Sequence, residues 1–170
     1  MERYDEARQW KVQLHVWVRK EIENYLLVPE AIARYIAAQA ARGQDIPEAE
    51  AVAAETDRII QAMRDDVILD SAANILLSRD KKGGLSKASK AARSWIKDRW
   101  QTQAGRWAVA PGKEVISQLS EWAKTNYGIS FGAAQIARTL TREEVDAEVV
   151  EVLSAIAAAR PLKPPFAMPK

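Results

Sequence analysis

The sequence predicts a mainly helical α+β protein, namely a helical bundle with one N-terminal strand. Apolar residues recur at helical spacing through most of residues 29–160, whereas residues 11–18 alternate between apolar and other side chains. The last ten residues contain four of the seven prolines, and proline cannot continue a helix. We therefore divide the chain into a strand with an acidic end at 1–28, a helical domain at 29–160 and an extended tail at 161–170.

The predicted strand is KVQLHVWV, residues 11–18. It places Val12, Leu14, Val16 and Val18 on one face, with His15 and Trp17 on the other. No second segment alternates as well, and one strand does not make a sheet. The strand is therefore interpreted as packing on another element, or as the remnant or edge of a sheet whose other strands lie outside this chain.

The first two helices begin at prolines. Residues 29–43 start with Pro29 and stop at Gly43, the usual order of these residues at helix ends. From Pro47 the apolar stripe extends to about Arg79 unless the helix breaks on the way. A helix of that length usually pairs with another. The helix of residues 47–79 is therefore predicted to pair with another long helix in an antiparallel hairpin, or to form a homodimer surface.

Four further helices follow the loop KKGGLSK, at about 87–103, 113–126, 131–140 and 143–159. Ser86 and Ser130 are the predicted N-caps, and Gly128 is the predicted C-terminal stop. Thr141 and Glu144 have the spacing of a capping box.

Composition excludes several classes of site. The chain has 170 residues, no cysteine and a single histidine, so disulfides, a cysteine nucleophile and a multi-histidine metal site are excluded. No stretch of apolar residues approaches the length of a membrane span. The N-terminus also lacks the apolar core of a signal peptide. We expect a cytoplasmic protein with no membrane partner.

The net charge is only +2, but acids dominate residues 45–70 and bases dominate residues 79–113. Within the basic stretch, several residues recur three and four apart and share a helix face. Trp95, Trp100 and Trp107 interleave with them, so the stretch is a candidate DNA-binding surface. The predicted nucleic-acid-binding residues are Lys87, Lys90, Arg93, Lys97, Arg99 and Lys113. The alternative is a solvated face with the tryptophans in the core.

The stretch RKEIENYLL, residues 19–27, places two acids directly after the predicted strand. On a strand Glu21 and Glu23 point the same way, and carboxylates at a strand end are suitable ligands for Mg²⁺. The cluster Arg19, Glu21, Glu23 and Asn24 is therefore a candidate metal site. The alternative is an ordinary transition into a helix whose dipole favours acids near its N-terminus.

Two segments carry a family resemblance. RKEIENYLLVPEAI resembles a segment of OLD-type ATPase–nucleases and related TOPRIM-like phage-defence proteins, in which an Arg-x-Glu-x-Glu-Asn-Tyr-Leu pattern follows a strand downstream of the TOPRIM Asp-x-Asp. RWAVAPGKEVISQLSEWAKTNYGISFGAAQIARTL, with EEVDAEVVEVLSAI after it, is similar to their C-terminal helical part. The resemblance implies a DNA-associated module of a metal-dependent nuclease, in DNA repair or phage defence. It also implies that Glu23 is the metal ligand or acid–base group, that Glu21 is the second catalytic candidate, and that Arg19 and Asn24 are supporting groups.

The departures from that family are equally specific. This chain lacks the Asp-x-Asp and the upstream glutamate beside a glycine. Gly112 and Lys113 are not an ATP-binding loop, because Trp107 and Glu114 stand where that motif needs glycine and Ser or Thr. We expect Mg²⁺ only with ligands from outside this chain, and therefore an upstream ATPase/TOPRIM segment or a partner chain. The alternative function is a non-catalytic helical interaction or dimerisation module.

Overall fold

Within residues 15–78 and 84–158, which the computed structural model describes, the chain is mainly helical. The α-helices are α1 Pro29–Gln39, α2 Ala49–Ala62, α3 Arg64–Ser78, α4 Gly84–Arg99, α5 Gln103–Val109, α6 Gly112–Tyr127, α7 Ala133–Thr139 and α8 Ala147–Ala158. Two 3₁₀ turns, Ile22–Leu26 and Arg142–Glu144, precede α1 and α8. None of the described helices is long and apolar enough to span a bilayer.

The chain divides into two compact units. The first, Trp17–Glu144, contains α1 to α7 and both 3₁₀ turns. The second combines Met1–Val16 with Val145–Lys170. In its described part, His15 Nε2 lies 2.9 Å from Glu148 Oε1 on α8. The predicted boundary at residue 28 falls inside the first unit, and the predicted tail at 161–170 lies outside the described residues.

The predicted strand is not seen where its residues are described. His15–Val18 have no regular secondary structure, and residues 11–14 lie outside the described ranges. Val16 and Val18 are exposed rather than buried. Trp17 packs instead on the ring of Tyr25, with the ring centroids 5.4 Å apart. No strand occurs in residues 15–78 or 84–158, so these ranges show no β layer.

The first unit is built on the apolar stripes of its helices. Helix α1 has Pro29 in its first turn, as predicted, and it packs on α2 and α7. Helix α2 also packs on α5 and α6. The largest fully buried apolar side chains are Ile32, Ile36, Val52, Ile59, Ile60, Val67, Ile96, Val115, Leu119 and Ile136. Their burial supplies the main driving force for this unit.

The long helix predicted from Pro47 is two helices. The break is at Met63, whose φ of −87° and ψ of 5° depart from helical values. Met63 is nevertheless buried, so the apolar stripe continues across the break. Asp65 and Asp66 lie in the first turn of α3, where acids interact favourably with the helix dipole. Helix α3 packs extensively on α4, so the hairpin involves only the second half of the predicted helix.

The stretch predicted as a helix at 87–103 ends earlier, and a short helix follows it. Helix α4 begins at Gly84, which places Ser86 inside its first turn rather than at its N-cap. Thr102 caps α5 by accepting a hydrogen bond at Oγ1 from the Gly105 N–H (3.1 Å). Gly128 ends α6 with a φ of +69°, as predicted.

The last two helices also start later in the chain than the sequence predicts. Helix α7 begins after Gly132 instead of Ser130, and Gln135 Oε1 accepts from the Gly132 N–H (3.1 Å). The Thr141 N–H donates to Glu144 Oε2 (2.7 Å), which is one half of the predicted capping box. That pair closes the second 3₁₀ turn, and α8 starts only at Ala147.

Candidate functional site

The segment predicted to bind metal folds as the first 3₁₀ turn, and Asn24 lies at its centre. Asn24 is fully buried. Its Nδ2 donates to the backbone carbonyls of Trp107 (2.7 Å) and Ala110 (3.0 Å). Its Oδ1 accepts from the Glu21 N–H (2.8 Å). The side chain therefore connects the turn to the end of α5 and is closed to solvent.

Glu21 lies at the N-terminus of α6. Its Oε2 accepts from the backbone N–H of Lys113 (2.9 Å), an amide that has no partner within the helix. The carboxylate therefore caps α6 from a distant part of the chain, where the helix dipole favours negative charge. Pro111, Gly112 and Lys113 thus begin a helix, as the departures from the ATP-binding motif predicted.

Arg19 contacts two residues of the same 3₁₀ turn, Asn24 and Tyr25. Its Nη1 donates to the Asn24 carbonyl (2.7 Å), and its guanidinium lies 4.7 Å from the centre of the Tyr25 ring. The neighbouring Lys20 N–H donates to the Ala108 carbonyl (2.8 Å). We call the contact between residues 19–25 and residues 107–113 the turn–helix junction.

Glu23 is the remaining candidate ligand of this turn, and its side chain is half-buried. Glu21 is engaged as a cap and Asn24 is buried, so the turn offers one uncommitted carboxylate. Across the described ranges no group of three or more His, Asp or Glu side chains could hold a metal ion. These residues alone do not fit a magnesium site, which needs more oxygen ligands. The ligands predicted from outside the chain stay a prediction.

The basic helix is α4. Its buried side is formed by small and aliphatic side chains, Ala88, Ala92 and Ile96. The exposed side carries a group that we call the basic face, consisting of Lys87, Lys90, Arg93 and Lys97. Among residues 15–78 and 84–158, no carboxylate forms an ion pair with any of these four. The basic face is therefore open to an external anion.

The two other predicted phosphate ligands lie elsewhere. Arg99 stacks on Trp95, with its Cζ 4.2 Å from the ring centre. At 3.6 residues per turn, Arg99 is about 160° around α4 from Lys97. Lys113 is on α6, at the turn–helix junction.

Of the three tryptophans predicted to interleave with the basic residues, two pack on the core and one is exposed. Trp100 and Trp107 pack against the hydrophobic core, as the alternative interpretation proposed. Trp95 is 45% exposed. Only this one of the three rings is therefore available at the surface of α4.

Helix α3, which packs on α4, has the opposite charge. Asp65, Asp66 and Asp70 are exposed along it, and Asp70 Oδ2 accepts from Lys20 Nζ (3.2 Å). The uneven charge distribution predicted from the sequence therefore appears as two neighbouring helices, one acidic and one basic.

A second polar cluster was not predicted from the sequence. Both carboxylate oxygens of Asp57 accept from Arg106 Nη2 (2.8 Å each), and Gln61 and Trp107 Nε1 also donate to Asp57. Burial opposes ionisation of this carboxyl, but the hydrogen bonds from Arg106, Gln61 and Trp107 outweigh it and lower the pKa of Asp57. The cluster joins α2 to α5, and no local spacing indicates it because its two charges are 49 positions apart.

An open groove of about 320 Å³ lies between α2 and α6. Ile59 and Trp122 contribute apolar surface to it. At its edge, Glu55 forms an ion pair with Arg58 (2.6 Å). Its mixed lining specifies no particular ligand.

No family model, curated protein or solved structure matches the sequence. The resemblance to OLD-type nucleases therefore stays a prediction. In the structure, Asn24 and Glu21 of the first of the two segments that carry it bind Trp107, Ala110 and Lys113 of the second.

Proposed function

We propose that this chain is a DNA-associated helical module that binds phosphate through the basic face of α4. The observation that carries this proposal is a row of four exposed cations on one helix with no carboxylate partner in the described ranges. Lysine and arginine side chains that neutralise phosphates release condensed counterions, which drives association. The aliphatic side of α4 is used for packing, so the basic face is not needed to stabilise the helix.

A binding assay with a matched control tests this proposal. Fluorescence anisotropy of a labelled DNA duplex measures the dissociation constant for wild type and for the triple variant Lys90→Gln/Arg93→Gln/Lys97→Gln. The control, Arg42→Gln/Lys124→Gln/Arg138→Gln, removes the same charge from exposed positions outside α4. We expect the α4 variant to bind at least tenfold more weakly than the control. Equal losses in the two variants would show that only total charge matters and would reject the basic face.

We extend the proposal to a metal-dependent nuclease assembly in which most catalytic ligands come from outside this chain. Glu23 supports this extension, because it is the carboxylate of its turn that is not used as a cap. Incubation with plasmid and Mg²⁺ or Mn²⁺ tests for cleavage. Any cleavage should be lost in Glu23→Gln and retained in Glu30→Gln, which changes an exposed acid at the start of α1. Cleavage that survives Glu23→Gln would remove Glu23 from the proposal.

A second candidate function is dimerisation through residues 47–79. The observation that favours it is Leu69, which is 63% exposed among the acids of α3. Light scattering of wild type and Leu69→Gln tests it. A wild-type dimer that becomes monomeric in the variant would support this function, and a wild-type monomer at high concentration would reject it.

A further inference from the structure

The position of Trp95 bears on the type of nucleic acid that the basic face binds. At 3.6 residues per turn, Trp95 lies about 160° around α4 from both Arg93 and Lys97 and about 140° from Lys90. Lys87 is about 80° from Trp95 around the helix and about two turns away along it. It is the only aromatic residue between residues 84 and 99. A phosphate chain that contacts Lys90, Arg93 and Lys97 therefore does not bring its bases over this ring.

The rings of the other candidate tryptophans are not available either. Trp100 and Trp107 pack against the core, and Trp107 Nε1 donates to Asp57 (3.3 Å). Arg99 covers one side of the Trp95 ring. Within residues 84–99, which the structure describes, the basic face consequently consists of cations without an aromatic stacking partner.

This arrangement favours double-stranded over single-stranded DNA. Proteins that bind single strands combine a basic groove with aromatic side chains on which the bases stack, and the basic face lacks the second component. Without stacking, affinity depends on counterion release, which is larger per phosphate contact for duplex than for single-stranded DNA.

We infer that the basic face of α4 binds the phosphate backbone of duplex DNA without base stacking. This inference rests on the proposed function and specifies its substrate class. Lys90, Arg93 and Lys97 are the central contacts, and Lys87 lies one turn before them. Trp95 and Arg99 are outside the interface.

The test compares one labelled oligonucleotide, alone and annealed to its complement, at two salt concentrations. We expect the duplex to bind more tightly at the lower salt, with a salt dependence about 1.3 times as steep as that of the single strand. Trp95→Leu should change the affinity for either form less than twofold. Circular dichroism of this variant checks that α4 remains folded.

Two results would contradict the inference, and they are distinguishable from failure of the proposed function. Tighter binding of the single strand, or a fivefold or larger loss of single-strand affinity in Trp95→Leu, would overturn the inference while leaving DNA binding in place. Absence of binding to both forms would overturn the proposed function and this inference together.

Discussion

Gly112 lies directly against Asn24: a Cβ atom at residue 112 would be 2.7 Å from the Asn24 backbone nitrogen and 2.9 Å from its Oδ1. Asn24 is itself held by hydrogen bonds to the carbonyls of Trp107 and Ala110 and is fully buried. The glycine therefore permits the first 3₁₀ turn to approach the start of α6. This close approach explains why a helix begins with Pro-Gly-Lys-Glu at this position.

Gly112→Ala should destabilise the protein. In an unhindered helix alanine is more favourable than glycine by about 1 kcal/mol, but here the added methyl group meets backbone, and overpacking of this kind costs about 1–3 kcal/mol. Urea unfolding followed by tryptophan fluorescence measures the change. Gly132→Ala is the control, because its Cβ would meet only the end of the Gln135 side chain at 3.3 Å. A Gly112→Ala variant as stable as wild type would contradict the packing described for the turn–helix junction.

The two acids of the first 3₁₀ turn should differ in their effect on stability. Glu21→Ala removes the cap on the Lys113 amide, and loss of a helix cap costs about 1 kcal/mol. Glu23→Ala removes a half-buried side chain that is not used as a cap, and we expect a change within about 0.5 kcal/mol. Equilibrium unfolding of both variants provides the comparison. Equal losses would mean that Glu23 has a structural role as well.

The Asp57–Arg106 pair should make stability depend on acid pH. The folded-state pKa of Asp57 is lowered from its ordinary value of 3.8, so its contribution is present above that value and is lost as the pH falls through the folded-state value. Asp57→Asn should cost about 2 kcal/mol at pH 7 for this partly exposed pair. The difference from wild type should shrink at pH 3. Glu144, whose pKa is lowered by its hydrogen bond from Arg34, contributes to acid sensitivity in the same direction.

Unfolding at pH 7 and pH 3 measures that dependence. The control is Glu121→Gln, which removes an exposed pair with Lys124 at 3.9 Å and should change the free energy of unfolding by less than about 0.5 kcal/mol at either pH. A constant difference between Asp57→Asn and wild type across this range would show that ionisation of Asp57 is not the origin of the stabilisation.

Single residues in the sequence predicted those helix ends that depend on the backbone preferences of proline and glycine. Pro29 begins α1, and Gly128 ends α6 with a positive φ. The sequence pattern does not locate the break at Met63, because Met63 is buried and the apolar stripe continues through it. The helix Gln103–Val109 was missed as a separate element, because its cap and its packing on α2 are seen only in the folded chain.

In the candidate site, too, local spacing predicted some features, whereas others depend on contacts between distant parts of the chain. Spacing alone placed Lys87, Lys90, Arg93 and Lys97 on one face, since these residues belong to one regular helix. Spacing did not indicate the partners of Asn24, which are 83 and 86 positions away. A strand-based interpretation of Glu21 and Glu23 depended on a conformation that residues 15–26, as described, do not adopt.

The most direct test of the central claim, that the basic face of α4 binds DNA phosphate, is the salt dependence of duplex affinity. Each phosphate contact contributes about 0.9 to the slope of log K against log salt concentration. Removing Lys90, Arg93 and Lys97 together should therefore lower the slope by about 3 relative to wild type. The control variant Arg42→Gln/Lys124→Gln/Arg138→Gln should keep the wild-type slope. An unchanged slope in the α4 variant would contradict the claim.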